Sequence, residues 1–321
     1  MRSITGPGIP VAAARAGRLL RTALAAAAAA VLLSCATVPT RSATEWMGVL
    51  PGDASIYISV SVKSSAALIK KTLEAGGPDY RDVMQFADWT KRLLASVTLS
   101  RGAPAKFSAV ALGDYPSFLI GMSLSGRKEW KEVKVPDGSY FAWNKADLEL
   151  SVPNNATLVA ANGGMPSLLQ RYKAPVSLPI PPEVASDMGS ADVVLYMPRL
   201  PDRMGQDDVD QPAAEGGQMR LPIRDVWINA MKTSGGYSVA ATVGTPSEQK
   251  AKVVALLLRV MIVAWLKGQN ISDAAGRLQS ISVLPEGALV KVRGITLSDA
   301  EILPLFFSFI RGEKSSPGPA S

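Results

Sequence analysis

Runs of alternating apolar and polar residues, joined by turn-forming residues, recur along most of this chain, and two strands joined by a tight turn can only run antiparallel. Ser55 to Val62 alternates with period two and puts Ile56, Ile58, Val60 and Val62 on one face of a half-buried strand. Lys106 to Leu112 and Ser117 to Leu124 flank Gly113-Asp114-Tyr115-Pro116, and Lys131 to Val135 and Tyr140 to Trp143 flank Pro136-Asp137-Gly138. Asp147 to Val152 and Thr157 to Ala161 repeat the arrangement around Asn154-Asn155. Each pair predicts a hairpin.

Beyond a proline-rich link, Pro175 to Pro182, the pattern starts again with the strand Asp192 to Met197. Val226 to Lys232 and Tyr237 to Val243 flank Ser234-Gly235-Gly236, and Ser280 to Leu284 precedes Ala288 to Val292. Helices are expected at Ser64 to Ala75 and Asp79 to Ala95, separated by Gly76-Gly77-Pro78, and at Met165 to Tyr172. Strand, hairpin, further strands and closing helix follow in the same order at 45–173 and 174–311. The expected class is α+β: two similar halves, each a mostly antiparallel sheet covered by amphipathic helices.

The chain opens differently. Arg2, Arg15, Arg18 and Arg21 precede an uninterrupted apolar run, Ala23 to Leu33, which ends at Leu32-Leu33-Ser34-Cys35. Eleven apolar residues fall short of the roughly 20 that a spanning helix needs, which fits a secretory leader at 1–34. Leu32-Leu33-Ser34-Cys35 resembles the lipobox of bacterial lipoproteins, which implies cleavage before Cys35 and acylation of that cysteine. Two acyl chains, at about 0.8 kcal/mol per buried methylene, anchor a protein without a transmembrane helix. Residues 35–44 read as the lipidated terminus and its tether, and 312–321 as a disordered tail.

Composition excludes much chemistry. There is no histidine, so His triads, His metal ligands and the usual proton shuttle near neutral pH are ruled out. The single cysteine cannot close an internal disulfide. The net charge of +7 owes four positive charges to the leader; without them 30 basic residues face 27 acidic ones, too even a balance for a nucleic-acid footprint. Ser247-Glu248-Gln249-Lys250 matches Ser-x-x-Lys, but its companion motifs are absent and a helix start accounts for the residues. Asp207-Asp208-Val209-Asp210 reads as a solvated loop rather than a cation site. No catalytic residue, metal or cofactor is expected.

Two segments stand out for apolarity. In Pro246 to Lys267, Thr245 is placed to cap, Glu248 to complete a capping box and Gly268 to end the helix; between Val253 and Leu266 the only charge is Arg259. The second follows a capping box at Ser298 and Glu301 and holds Phe306, Phe307 and Phe309. Both fit either a core helix or a helix lying in lipid. On the lipid reading the contacts are Leu256, Leu257, Val260, Met261, Val263, Trp265, Phe306, Phe307 and Phe309.

The lipobox, the opening Leu50-Pro51-Gly52-Asp53-Ala54-Ser55-Ile56-Tyr57, the paired halves and the apolar helices together resemble a treponemal outer-membrane lipoprotein family. The resemblance implies a protein anchored in the periplasmic leaflet of the outer membrane whose amphipathic helices embed in lipid, and it carries over no catalytic residue. Membrane lipid is the expected partner. The alternative is a tethered module whose loop, Pro201 to Pro222, meets a protein.

Overall fold

A computed structural model describes residues 41–67, 69–70, 86–100, 103–145, 147–199, 222–268, 274–298 and 301–302. Twelve strands form one sheet: β1 (Ile56–Ser61), β2 (Thr90–Thr98), β3 (Lys106–Gly113), β4 (Trp130–Val135), β5 (Gly138–Trp143), β6 (Leu148–Asn154), β7 (Thr157–Ala161), β8 (Val193–Met197), β9 (Asp225–Thr233), β10 (Gly236–Gly244), β11 (Ser282–Glu286) and β12 (Leu289–Leu297). Helices fully within the described residues are α1 (Ala43–Met47), α2 (Ser117–Ser125), α3 (Met165–Lys173), α4 (Pro182–Ser190), α5 (Glu248–Gly268) and α6 (Ala274–Ser280). All belong to one unit, Arg41–Ser321.

The strand order is β11-β12-β10-β9-β8-β1-β2-β3-β7-β6-β5-β4. Every pair is antiparallel, and for strands joined directly by a tight turn no other direction is possible. The two expected halves are two arms of this sheet, joined where β1 pairs with β8, Tyr57 opposite Tyr196. Outward from that pair the arms correspond: β1-β2-β3-β7-β6 on one side and β8-β9-β10-β12-β11 on the other, with β5 and β4 extending the first. In each arm a helix follows the third strand, α2 after β3 and α5 after β10, before a later hairpin returns its second strand against the third. The correspondence reaches single residues. Gly113 ends β3 opposite Thr90 at the start of β2, and Gly244 ends β10 opposite Asp225 at the start of β9.

Register assigns the two faces. Ala111, Leu93, Val60, Val193, Ala230 and Val239 lie across neighbouring strands on one face. The cores beneath α2 and α5 belong to that face. Tyr57, Leu94, Val110, Val194, Tyr196 and Trp227 point the other way, into a cluster with Trp46 and Met47 of α1 and Val184 and Met188 of α4. A capping box between Ser42 and Glu45 starts α1, and Arg41 lies 4.9 Å from the Trp46 ring and 5.4 Å from that of Tyr172. The edge strands discourage further pairing, β4 with Lys131, Glu132 and Lys134 and β11 with Pro285.

Several expectations need correction. Thr90 to Ala95 belongs to β2 rather than to a helix; Leu93 and Leu94 are adjacent but serve opposite layers, so a strand covered on both faces loses its alternation and reads as a helical run. Ser117 to Leu124 is α2 rather than a strand, with Ile120 and Leu124 one turn apart on the buried side. Part of the proline-rich link is α4, which begins at Pro182, where a proline's missing N–H costs nothing. Ala43 and Thr44, expected in the tether, open α1. The hairpins β4–β5, β6–β7 and β9–β10 stand where their turns predict them.

Two tyrosines carry a prediction about alkaline pH. Burial pushes the Tyr115 phenol up to about 12, and burial, then the nearby Asp225 charge, do the same for Tyr196. Because the folded state holds these protons more tightly than the unfolded chain, their contribution is complete below about pH 10 and is lost as pH rises from 10 towards 12. Burial raises Tyr57 and Tyr140 as well, so ultraviolet titration of the native protein should leave at least Tyr115 and Tyr196 of its seven tyrosines protonated at about pH 11. Seven phenols titrating together near pH 10 in folded protein would contradict this.

Candidate functional site

Helix α5 begins two residues later than expected. Thr245 is fully buried, its one hydroxyl proton shared between the Ser247 and Ala288 carbonyls, while Ser247 Oγ accepts the Lys250 N–H at 3.3 Å and serves as the cap. The Ser-x-x-Lys serine is therefore a helix cap. Glu248, in the first turn where the helix dipole favours an anion, pairs with Lys252 at 2.8 Å.

One side of α5 is core. Ala251, Val254 and Ala255, with Leu258 and Ile262, pack on Val243, Val283, Val290 and Val292 at the i, i+3, i+4 spacing of a buried stripe. Arg259 Nη2 donates to the Val283 carbonyl at 2.7 Å and ties the helix to β11. Trp265, expected among the lipid contacts, packs into the cluster of Tyr237, Val239 and Leu297, and Leu266 is fully buried.

The opposite side is equally apolar and faces outward. Val253 is 50% exposed, Leu256 62%, Val260 61% and Met261 55%, with half-buried Leu257 and Val263 beside them. At 100° per residue these six positions span a broad arc, bounded on one side by Glu248, Lys252 and Arg259. Of the nine expected contacts, five therefore lie on or beside one outward arc and Trp265 does not. Phe306, Phe307 and Phe309 lie outside the described residues, as do Cys35, Asp207 to Asp210 and nearly all of the loop from Pro201 to Pro222. Ser298 and Glu301 do form their capping box, Ser298 N–H to Glu301 Oε2 at 2.7 Å and Glu301 N–H to Ser298 Oγ at 3.3 Å.

A second apolar surface escaped the sequence reading. On α2, Phe118 is 68% exposed, Leu119 58% and Met122 57%, while Ile120 and Leu124 are buried against Phe141, Leu150 and Leu158. Nine residues without a charge give no polar face by which to judge period, so the sequence pattern favours a strand there. Pro116 ahead of it and the Ile120–Leu124 spacing were the available signals.

Among the described residues no group of three or more Cys, Asp or Glu could hold a metal ion, and no helix is long and apolar enough to cross a membrane. A cleft of about 240 Å³ lies between α4 and strands β9, β10 and β12. Glu183 and Asp187 line one wall and Lys291 and Arg293 the other. Asp187 is engaged by Asn229 at 2.6 Å and Lys291 by Glu286, which leaves no convergent set of reactive groups.

Residues 41–270 match the model of the family described as "Outer membrane-associated lipoprotein TP0453". Three crystal forms of TP0453 share the fold. Form IV has a TM-score of 0.59 and 17% identity, covering 81% of this chain and 95% of that one. Form III gives 0.58 and 16%, covering 82% and 97%, and form I 0.56 and 16%, covering 82% and 96%. No curated protein matches the chain. The chain belongs to the family of outer membrane-associated lipoprotein TP0453 and is a lipid-anchored lipoprotein of the cell envelope.

Proposed function

We propose that this lipoprotein is held by acyl chains on Cys35, faces the periplasm, and lays the outward arc of α5 into the lipid interface as a second, non-covalent contact, with no catalytic role. The observation that carries this reading is the exposure of Val253, Leu256, Val260 and Met261 on a helix whose one charge between Val253 and Leu266, Arg259, sits at the margin of the arc. A helix apolar on both sides is expected to be covered on both sides, and in water this one is covered on one. At about 1.5–3 kcal/mol for full burial of such a side chain, the exposed fractions leave roughly 3–7 kcal/mol available to an apolar medium. That is the order of a single acyl chain, which binds membranes only reversibly. The helix thus reinforces an anchor and orients the protein on it; it does not replace one.

Flotation of residues 36–321 on liposomes tests this, since that segment contains the whole unit beginning at Arg41 and lacks Cys35. The protein is expected to float without acylation, and Leu256→Asp or Val260→Asp to reduce the floated fraction several-fold. If the unsubstituted protein stays at the bottom with neutral and anionic lipid alike, α5 does not bind lipid, Cys35 is the only membrane contact, and the arc awaits a protein partner.

A further inference from the structure

We infer that the cleft between α4 and strands β9, β10 and β12 binds a small zwitterion of dipeptide size, its ammonium held by Glu183 and Asp187 and its carboxylate by Lys291 and Arg293. The inference stands apart from the reading of α5, because the cleft lies on the other face of the sheet.

The two arms treat that face differently. In the first, Val110 of β3 pairs with Val159 of β7, and α3 covers the surface, with Met165, Leu168 and Leu169 packed on Val159 and Ala161. In the second, the equivalent strands carry Thr242 opposite Lys291, and Trp227 of β9 completes the row. A lysine laid under an apolar helix would strand its charge. The surface instead stays open as the cleft, floored by the short side chains of Ala240 and Thr242 beside the larger, buried Trp227. A bulge sets the second cation. Val239 pairs with Ile295 and Ala241 with Val292, so Ala240 alone faces Arg293 and Gly294, the latter at φ 82°. By this means Val292 and Ile295 both serve the core under α5, Arg293 lines the cleft, and Gly294, which has no side chain, takes up the extra position.

Charge and span indicate the ligand. Among the described residues no ion pair joins the acidic wall to the basic one. Asn229 Nδ2 donates to Asp187 Oδ2 at 2.6 Å and fixes that carboxylate, while Glu286 engages Lys291 and leaves Arg293, like Glu183, exposed on its wall. Two carboxylates suit an ammonium, and a guanidinium takes a carboxylate bidentately. Asp187 is tied to β9 and Lys291 stands on β12, two strand spacings or about 10 Å away at the backbone, of which the side chains span part. A residue extends about 3.5 Å, so the two charges of a dipeptide, about 7 Å apart, bridge the walls where those of a single amino acid fall short. The cleft volume, about 240 Å³, agrees with so small a ligand, since pockets for drug-sized molecules begin at roughly 300 Å³.

Equilibrium dialysis of radiolabelled alanyl-alanine against the mature, acylated protein in neutral detergent tests the inference. Saturable binding of one dipeptide per chain is expected, with N-acetyl-alanyl-alanine and alanyl-alaninamide each competing about tenfold less well or worse, because each lacks one charge. Glu183→Gln should narrow the gap between the free and acetylated ligands, and Arg293→Gln that between the acid and the amide, with urea midpoints unchanged. Equal weakening of all three ligands in these variants overturns the assignment, since it reports a disturbed fold rather than a lost contact. Absence of saturable binding, or equal competition by the blocked dipeptides, also overturns it. Binding of glycerophosphoethanolamine with no binding of dipeptide overturns it too, and gives the cleft to a headgroup. None of these outcomes bears on flotation, so the reading of α5 stands or falls separately.

Discussion

Gly113→Ala is expected to cost about 3 kcal/mol, near the upper end for overpacking. A methyl group at this position would be driven into the Trp89 carbonyl oxygen and the Thr90 Cα, which are backbone and have no rotamer into which to retreat. Its counterpart in the other arm predicts a different outcome. At Gly244 the obstacle is the carboxylate of the buried Asp225, whose Oδ1 has no hydrogen-bond partner. Gly244→Ala should therefore cost less, about 1–2 kcal/mol, and Asp225→Ala should recover most of that loss. The measurement is denaturant unfolding of the two single variants and of the Gly244 and Asp225 cycle. A cost below about 0.5 kcal/mol for Gly113→Ala would show that β2 and β3 do not approach as closely as described.

These two glycines also show why some of the fold was legible in the sequence and some was not. Turn chemistry is local, so Pro136-Asp137-Gly138 and Ser234-Gly235-Gly236 announce their hairpins directly. Gly113 was equally visible, but it reads as part of a turn to a following strand, when its role is a close approach to Trp89, 24 positions earlier in the chain. β2 is hidden in the sequence for a related reason. Leu93 meets one layer and Leu94 the other, and only the presence of both layers makes adjacent leucines a strand pattern. The candidate site was half visible. That α5 is apolar is written in Val253 to Leu266, yet its buried and outward arcs have nearly the same composition, and only β11 and β12 decide between them. Trp265 illustrates the cost: placed at an interface on composition, it is packed against Tyr237 and Leu297.

Leu94→Ala and Leu256→Ala should differ by about 4 kcal/mol, the first losing close to that amount and the second within about 0.5 of zero. Both residues sit in apolar runs of the sequence. Leu94, fully buried at the middle of β2, contacts the cluster built from Tyr57, Val110, Trp46 and Met188, where several elements meet and no single one can relax to close the cavity. Leu256 is 62% exposed and has little to lose on truncation in water. Urea unfolding followed by tryptophan fluorescence separates the two, and m-values equal to that of the unsubstituted protein would confirm that only the native state has changed. The comparison bears on function as well as on stability. A neutral Leu256→Ala means that the α5 arc is open in the soluble state, so that any loss of flotation in Leu256→Asp reports contact with lipid. A cost above about 2 kcal/mol would mean that another part of the chain already covers the arc, and lipid would then have to displace it before α5 could bind.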